Sequence, residues 1–273
     1  MSTQQQKAEA FLAAHHGDAP LLLANAWDAG SAKVLAALGF RALATTSGGH
    51  AGTLGRRDGA VTRDEALAHA RAIVIATDLP VSADLEKCFA DAPAAAADTI
   101  RLAGEVGLAG GSIEDASGNK DQPIFDFQHA VERVAAAAEA AKRIPSGFVL
   151  TARTENFLRG RPDLDDTIRR LQAFAKAGAD VLMAPGLPDL AAVRAVCGAL
   201  KKPVNFMAGI KGKSFTVPEL EAAGVRRVSL ATSLYRAAMS GLVDAAQEVQ
   251  GQGSFGYLER SLTTPELNGY MQS

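Results

Sequence analysis

Three carboxylates in this sequence are spaced for chemistry. Asp84 and Glu86 lie in the run VSADLE, and Glu114 lies in GSIEDA. Asp84 and Glu86 stand two apart, which on a strand puts both on one face. Acids converging on one small mouth repel one another unless a cation neutralises them. Hard oxygen donors without clustered His or Cys select Mg²⁺, with Mn²⁺ as the alternative. Taken singly, each acid also suits a helix cap or a loop ion pair. Arg153, in TARTENF, either pairs with such an acid or stabilises an anionic oxygen, and its position alone does not decide between them. The run Ser47-Gly48-Gly49 is a tight turn or a place where bare backbone N–H groups meet a carboxylate.

These residues need elements to position them. Eight short apolar runs end in small or polar residues: LLLANAW, ALATTSG, VSADLE, GSIEDA, FVLTART, VLMAPG, PVNFMAG and RVSLATS. Between them lie Ala-rich segments of helical period, several closed by Gly. Eight βα units with no Pro/Gly/Ser-rich linker predict a single (β/α)8 TIM-type barrel over 1–240, with 241–273 as a C-terminal helix and tail. In such a barrel the strand C-termini carry function, so Trp27 and Asn205 join the candidates.

Composition narrows the classes. The 273 residues are 48% hydrophobic with a formal charge of −2, which offers no electrostatic footprint for nucleic acid or an anionic membrane. The two cysteines lack metal or disulfide spacing, and the first residues show no basic and apolar leader. Together these predict a cytoplasmic protein with a small-molecule partner.

The joint pattern of TTSGGHAGTLGRRDG, SADLE, GSIEDA, TARTENF and PVNFMAG, in that order, resembles the isocitrate lyase/phosphoenolpyruvate mutase superfamily. The resemblance implies Mg²⁺ held directly by Asp84 and through waters by Asp58, Glu86 and Glu114. It implies a 2-oxo or 2-hydroxy acid bound by Ser47 and Gly48 backbone N–H groups, Trp27, Asn205 and Arg153. Arg153, Glu114 and Lys120 would be the catalytic groups, with charge developing on an enolate oxygen. The segment 115–127 corresponds to the family's mobile gate, reported by Asn119 and Lys120. It carries no Cys where the isocitrate and methylisocitrate lyases have one, and the sixth strand ends Met183-Ala184-Pro185-Gly186 where they carry a Glu. Isocitrate lyase activity itself is therefore not expected. The reading is a C–C lyase or decarboxylase, the alternatives being P–C bond chemistry or a non-catalytic 2-oxo acid binder.

The remaining reactive side chains read as structural. Cys88 is a buried thiol, Lys87 sits among acids that disfavour imine chemistry, and His50 is a surface or outer residue. His15, His16, His69 and His129 fall away from strand ends. The tail's Phe255, Tyr257, Leu258, Leu262, Leu267, Tyr270 and Met271 need an apolar surface. The resemblance implies a swapped eighth helix and a homotetramer.

Overall fold

The computed structural model describes residues 2–271. Eight parallel strands close a barrel in chain order. They are β1 (Leu21–Ala26), β2 (Leu43–Thr45), β3 (Val81–Ala83), β4 (Gly110–Glu114), β5 (Val149–Arg153), β6 (Val181–Met183), β7 (Val204–Met207) and β8 (Arg227–Ser229). Closure is the pairing of Leu21 with Arg227 through Leu23 with Ser229. The helices are α1 (Gln4–Ala14), α2 (Ala29–Ala37), α3 (Ser47–Thr53), α4 (Arg63–Ala76), α5 (Pro93–Glu105), α6 (Phe127–Lys142), α7 (Leu164–Ala177), α8 (Leu190–Gly198), α9 (Val217–Ala222), α10 (Ser233–Gln252) and α11 (Thr264–Tyr270). Among the described residues no helix is long and apolar enough to cross a membrane.

Local signals place the ends. Thr62 with Glu65, Thr216 with Glu219 and Thr263 with Glu266 form reciprocal capping boxes that start α4, α9 and α11. Gly178 ends α7 at φ 111°, a conformation that favours glycine. Three helices were not expected from the sequence: α1, α3 and the short α11 of the tail. The segment Ser47–Thr53 is α3, because Thr46 caps it by accepting from the Gly49 N–H at 3.3 Å. At the opposite end of the barrel α1 forms a plug, burying Ala8 and Phe11. A Cβ on Gly110 would lie 2.7 Å from the Val149 carbonyl and 2.9 Å from the Phe11 ring, so β4 begins with bare backbone under that plug.

Above the plug lies a polar layer. Arg227 donates to Asn205 Oδ1 at 2.8 Å, to Thr151 Oγ1 at 3.0 Å and to His15 Nε2 at 3.3 Å. All four residues are buried. His15 Nδ1 sits 2.7 Å from the Phe11 carbonyl, so that nitrogen carries the proton and Nε2 accepts.

The C-terminal region follows another logic. No residue of the twenty in α10 is buried, and Met239, Leu242, Val243 and Val249 face outward. The helix runs unbroken through residue 240, and Leu234 near its start packs against the barrel core. Beyond it Phe255, Leu258, Leu262 and Leu267 are exposed, while α11 rests against α2.

Burial, and then the charge of Arg227, lowers the His15 pKa from 6.5 to about 3. The folded imidazole is neutral where the unfolded one protonates. Its contribution to stability is therefore complete above about pH 6.5 and is lost as pH falls toward 3. Urea midpoints of the wild type should drop more steeply between pH 7 and pH 4.5 than those of His15→Gln; parallel curves would show that His15 is not coupled to unfolding.

Candidate active site

The C-terminal mouth is organised around the turn that leaves β3. Asp84 donates its backbone N–H to Thr45 Oγ1 at 3.0 Å, and its carboxylate accepts from Ser47 Oγ at 2.8 Å. The strand stops at Ala83, so Asp84 and Glu86 are not alternate residues of one strand as expected. A turn brings them together, with the Glu86 N–H 3.4 Å from Asp84 Oδ1. Glu86, Cys88 and Phe89 all have positive φ, unusual for residues with side chains. Arg133, fully buried on α6, holds this turn by donating to the carbonyls of Lys87, Ala90 (2.8 Å) and Glu114 (3.0 Å). Cys88 beneath it is buried, and burial pushes its thiol up to about 12, too high for a nucleophilic thiolate.

Opposite this turn, Arg153 at the end of β5 is enclosed by acids. Its Nε donates to Glu155 and lies 3.5 Å from Glu114 Oε2. Burial opposes the guanidinium charge, but Glu114 and Glu155 outweigh it and raise the Arg153 pKa above its ordinary value. Arg159 reaches the same two carboxylates, at 3.6 Å from Glu114 and 3.2 Å from Glu155. Glu155 is fixed from below, its N–H donating to Asp115 Oδ1 at 2.8 Å. Asp115 also accepts from Thr154 Oγ1 at 2.8 Å and from Arg170 at 3.1 Å.

The acids disfavour one another's charge. Burial, then Asp84, then Asp58 push Glu86 up to about 7. Burial raises Glu114 as well, with Arg153 as the main opposing influence. A divalent cation among Asp58, Asp84, Glu86 and Glu114 would relieve this, and an all-oxygen donor set matches Mg²⁺ or Mn²⁺. Among the described residues no three His, Cys, Asp or Glu side chains converge as a direct metal cage. The arrangement fits an ion that keeps most of its waters.

The substrate-side candidates lie on the same rim. Ser47 and Gly48 open α3, where the first backbone N–H groups have no helical partner. A Cβ on Gly48 would meet Thr232 Oγ1 at 3.0 Å and the Asp58 carboxylate at 3.3 Å, which places Asp58 directly beside it. Trp27 packs edge-on against Tyr235 with ring centroids 5.7 Å apart.

Two expected site residues are not brought into this group. Asn205 lies in the polar layer below, where its oxygen accepts from Arg227 and its nitrogen donates to Ser229 Oγ at 3.0 Å. Lys120 is at the exposed tip of the 115–127 loop, whose base is closed by a bridge between Ala116 and Ile124. Lys87 is anchored to Asp91 at 2.6 Å and to the Ser117 carbonyl at 2.8 Å. Glu155 and Arg159 belong to the site but were not among the expected site residues; the spacing of Arg153 and Glu155, two apart at a strand end, was the available signal. Nothing in the sequence marks the Asp115–Arg170 pair.

Comparison with known proteins agrees with this geometry. The family profile for phosphoenolpyruvate phosphomutase matches residues 11–250. A crystal structure from Burkholderia cenocepacia J2315, provisionally described as a lyase/mutase, superposes with a TM-score of 0.97 at 47% identity, covering 99% of this chain and 97% of that one. The 2-methylisocitrate lyase of Escherichia coli K12 is 30% identical over 239 residues, 84% of this chain and 79% of its own. A crystal structure of 2,3-dimethylmalate lyase, a member of the PEP mutase/isocitrate lyase superfamily, has a TM-score of 0.86 at 27% identity and covers 99% of this chain and 95% of its own. With the barrel, the acid-lined β3 turn and the clamped Arg153 in place, the matched length shows that the chain belongs to the isocitrate lyase/phosphoenolpyruvate mutase superfamily.

Proposed function

We propose that the protein is a Mg²⁺-dependent carbon–carbon lyase or decarboxylase acting on a small 2-oxo or 2-hydroxy carboxylic acid. The observation that carries this reading is the juxtaposition of a permanently charged, immobilised Arg153 with the acids of the β3 turn. Asp84 would hold the cation directly, and Asp58, Glu86 and Glu114 would hold it through waters. Bound there, Mg²⁺ would supply Lewis-acid polarisation of the substrate's carboxylate and keto oxygens. The chain's own groups do the rest. Backbone N–H groups of Ser47 and Gly48 bind the carboxylate, Trp27 walls the pocket, and Arg153 donates to the oxygen on which enolate charge develops. Glu114 and Glu155 keep that guanidinium charged and in place.

The relatives that are lyases of methylisocitrate and dimethylmalate support cleavage of a C–C bond. P–C chemistry would favour extra cations in the gate, and Lys120, the cation that the gate offers, stands at its exposed tip. A screen of 2-oxo and 2-hydroxy acids and phosphonopyruvate with Mg²⁺, read by NMR, tests the assignment. C–C cleavage products support it, conversion of phosphonopyruvate alone would replace it, and tight Mg²⁺-dependent oxalate binding without turnover would make the protein a binder.

The exposed apolar face of α10 and the tail that follows support an assembly in which this helix is exchanged between subunits of a homotetramer. Light scattering should give a mass near four chains, and truncation after Gln250 should dissociate it; a full-length monomer would overturn the exchange.

Asp84→Ala should lose Mg²⁺ uptake and turnover together, whereas Asp58→Ala should cost about 10–100-fold, as outer partners of a metal typically do. Full activity of Asp84→Ala would end the metal assignment. Arg153→Lys should keep fold and metal but lose at least about two orders of magnitude in kcat, because a point charge does not replace a planar fork held by two carboxylates. A raised KM at normal kcat would instead make Arg153 a ground-state binding residue.

A further inference from the structure

Behind the acids of the β3 turn lies a feature that the proposed chemistry leaves unused. His50, on the face of α3 turned toward α4, stacks on His69 with ring centroids 3.8 Å apart and planes 12° from parallel. His69 Nε2 is 2.8 Å from the Trp27 carbonyl, which can only accept, so that nitrogen carries the hydrogen. Burial lowers the pKa of both rings, that of His69 to about 4. His50 is thus a neutral imidazole with one N–H and one lone pair. Both of its nitrogens are buried, and neither has a protein hydrogen-bond partner. The Glu65 carboxylate does not serve it, being committed to Arg56 at 2.8 Å and to Thr62 at 2.9 Å, and the neighbouring Glu65 backbone carbonyl does not meet hydrogen-bond geometry with either nitrogen.

His50 and His69 line a small cavity shared with Thr46, Ser47, Asp84 and Glu86. The space open to the centre of a water molecule is about 10 Å³. That is about enough for one water, and a buried water needs two to four polar partners, which this lining provides. Buried polar groups of native proteins find partners, so an imidazole with two unmatched nitrogens beside such a cavity calls for one.

We propose that the cavity is a single-water site through which His50 is hydrogen-bonded to the Glu86 carboxylate, making His50 a positioning residue for the acids that face the cation. A carboxylate only accepts, so the water donates one hydrogen to Glu86, and the proposal assigns the His50 N–H to the water's oxygen. His69 holds the His50 ring flat against it and aimed at the cavity. The link gives Glu86 a donor on the side away from the cation and orients its oxygens toward the ion's waters. This role rests on the Mg²⁺ reading above; the water site itself does not.

The test uses the full-length protein and Mn²⁺ as the probe, followed by calorimetry and by the Mn²⁺ paramagnetic resonance signal. His50→Phe, which keeps the stacking but removes the donor, should weaken Mn²⁺ binding about 10-fold or more. His50→Gln, which restores a donor, should recover most of that loss, a rescue that a packing role would not produce. An atomic-resolution crystal structure of the wild type should show a water within hydrogen-bond distance of both His50 and Glu86. Unchanged Mn²⁺ affinity in His50→Phe beside normal wild-type uptake overturns the positioning role alone. A map without that water overturns the proposal whether or not the variants fold, and a wild type that takes up no Mn²⁺ overturns the cation reading on which the role rests.

Discussion

Burying a guanidinium charge is costly unless neighbouring groups compensate it, and the mouth of this barrel is arranged around matching that of Arg153 with carboxylates. Two carboxylates, Glu114 and Glu155, enclose it, and Arg159 balances the second negative charge from the rim. Each acid is held in turn. Glu155 hangs from Asp115 by its backbone N–H, and the carbonyl of Glu114 is held by Arg133. Removing one partner of such a cluster leaves an uncompensated buried charge, typically a cost of about 3–5 kcal/mol. The cluster is therefore a rigid unit, and rigidity is what an oxyanion-stabilising donor requires.

The same principle explains why the turn after β3 can hold residues in strained backbone. Left-handed conformations at Glu86, Cys88 and Phe89 persist because Arg133 donates to two carbonyls within that stretch and stacks on Phe125 at 4.4 Å. The strain turns Glu86 back toward Asp84, which a continued strand would not do. Acids that disfavour one another's charge are thereby kept close.

The barrel was legible because its signal is repeated. Each strand is a short apolar run that ends in small or polar residues, and each is followed by a helix. Asp84, Glu114 and Arg153 were legible for the same reason, standing at or next to strand ends. Asn205 was misplaced because it also lies in a strand, and sequence does not say which layer of the barrel a strand residue occupies; its pairing with Arg227 does. The cap at Thr46 that makes Ser47–Thr53 a helix was hidden by glycines that read as a turn. The partnership of Asp115 with Arg170 spans 55 positions and leaves no local trace. His50 read as an outer residue because its surroundings come from α4 and the β3 turn rather than from its own neighbours in sequence.

Arg227, like Arg133 and unlike Arg153, is buried among neutral groups. Its hydrogen-bond partners Asn205, Thr151 and His15 are all neutral, and among the described residues it forms no ion pair. Burial lowers its pKa to about 9, which still leaves it charged at neutral pH. Thr151 lies two residues before Arg153 on β5, roughly 7 Å at the usual strand rise. The barrel axis thus carries a fixed positive potential directed up at a rim crowded with carboxylates. Directed from the floor of the mouth, that potential offsets part of the mutual repulsion of the rim acids, and its source is the layer that rests on the α1 plug.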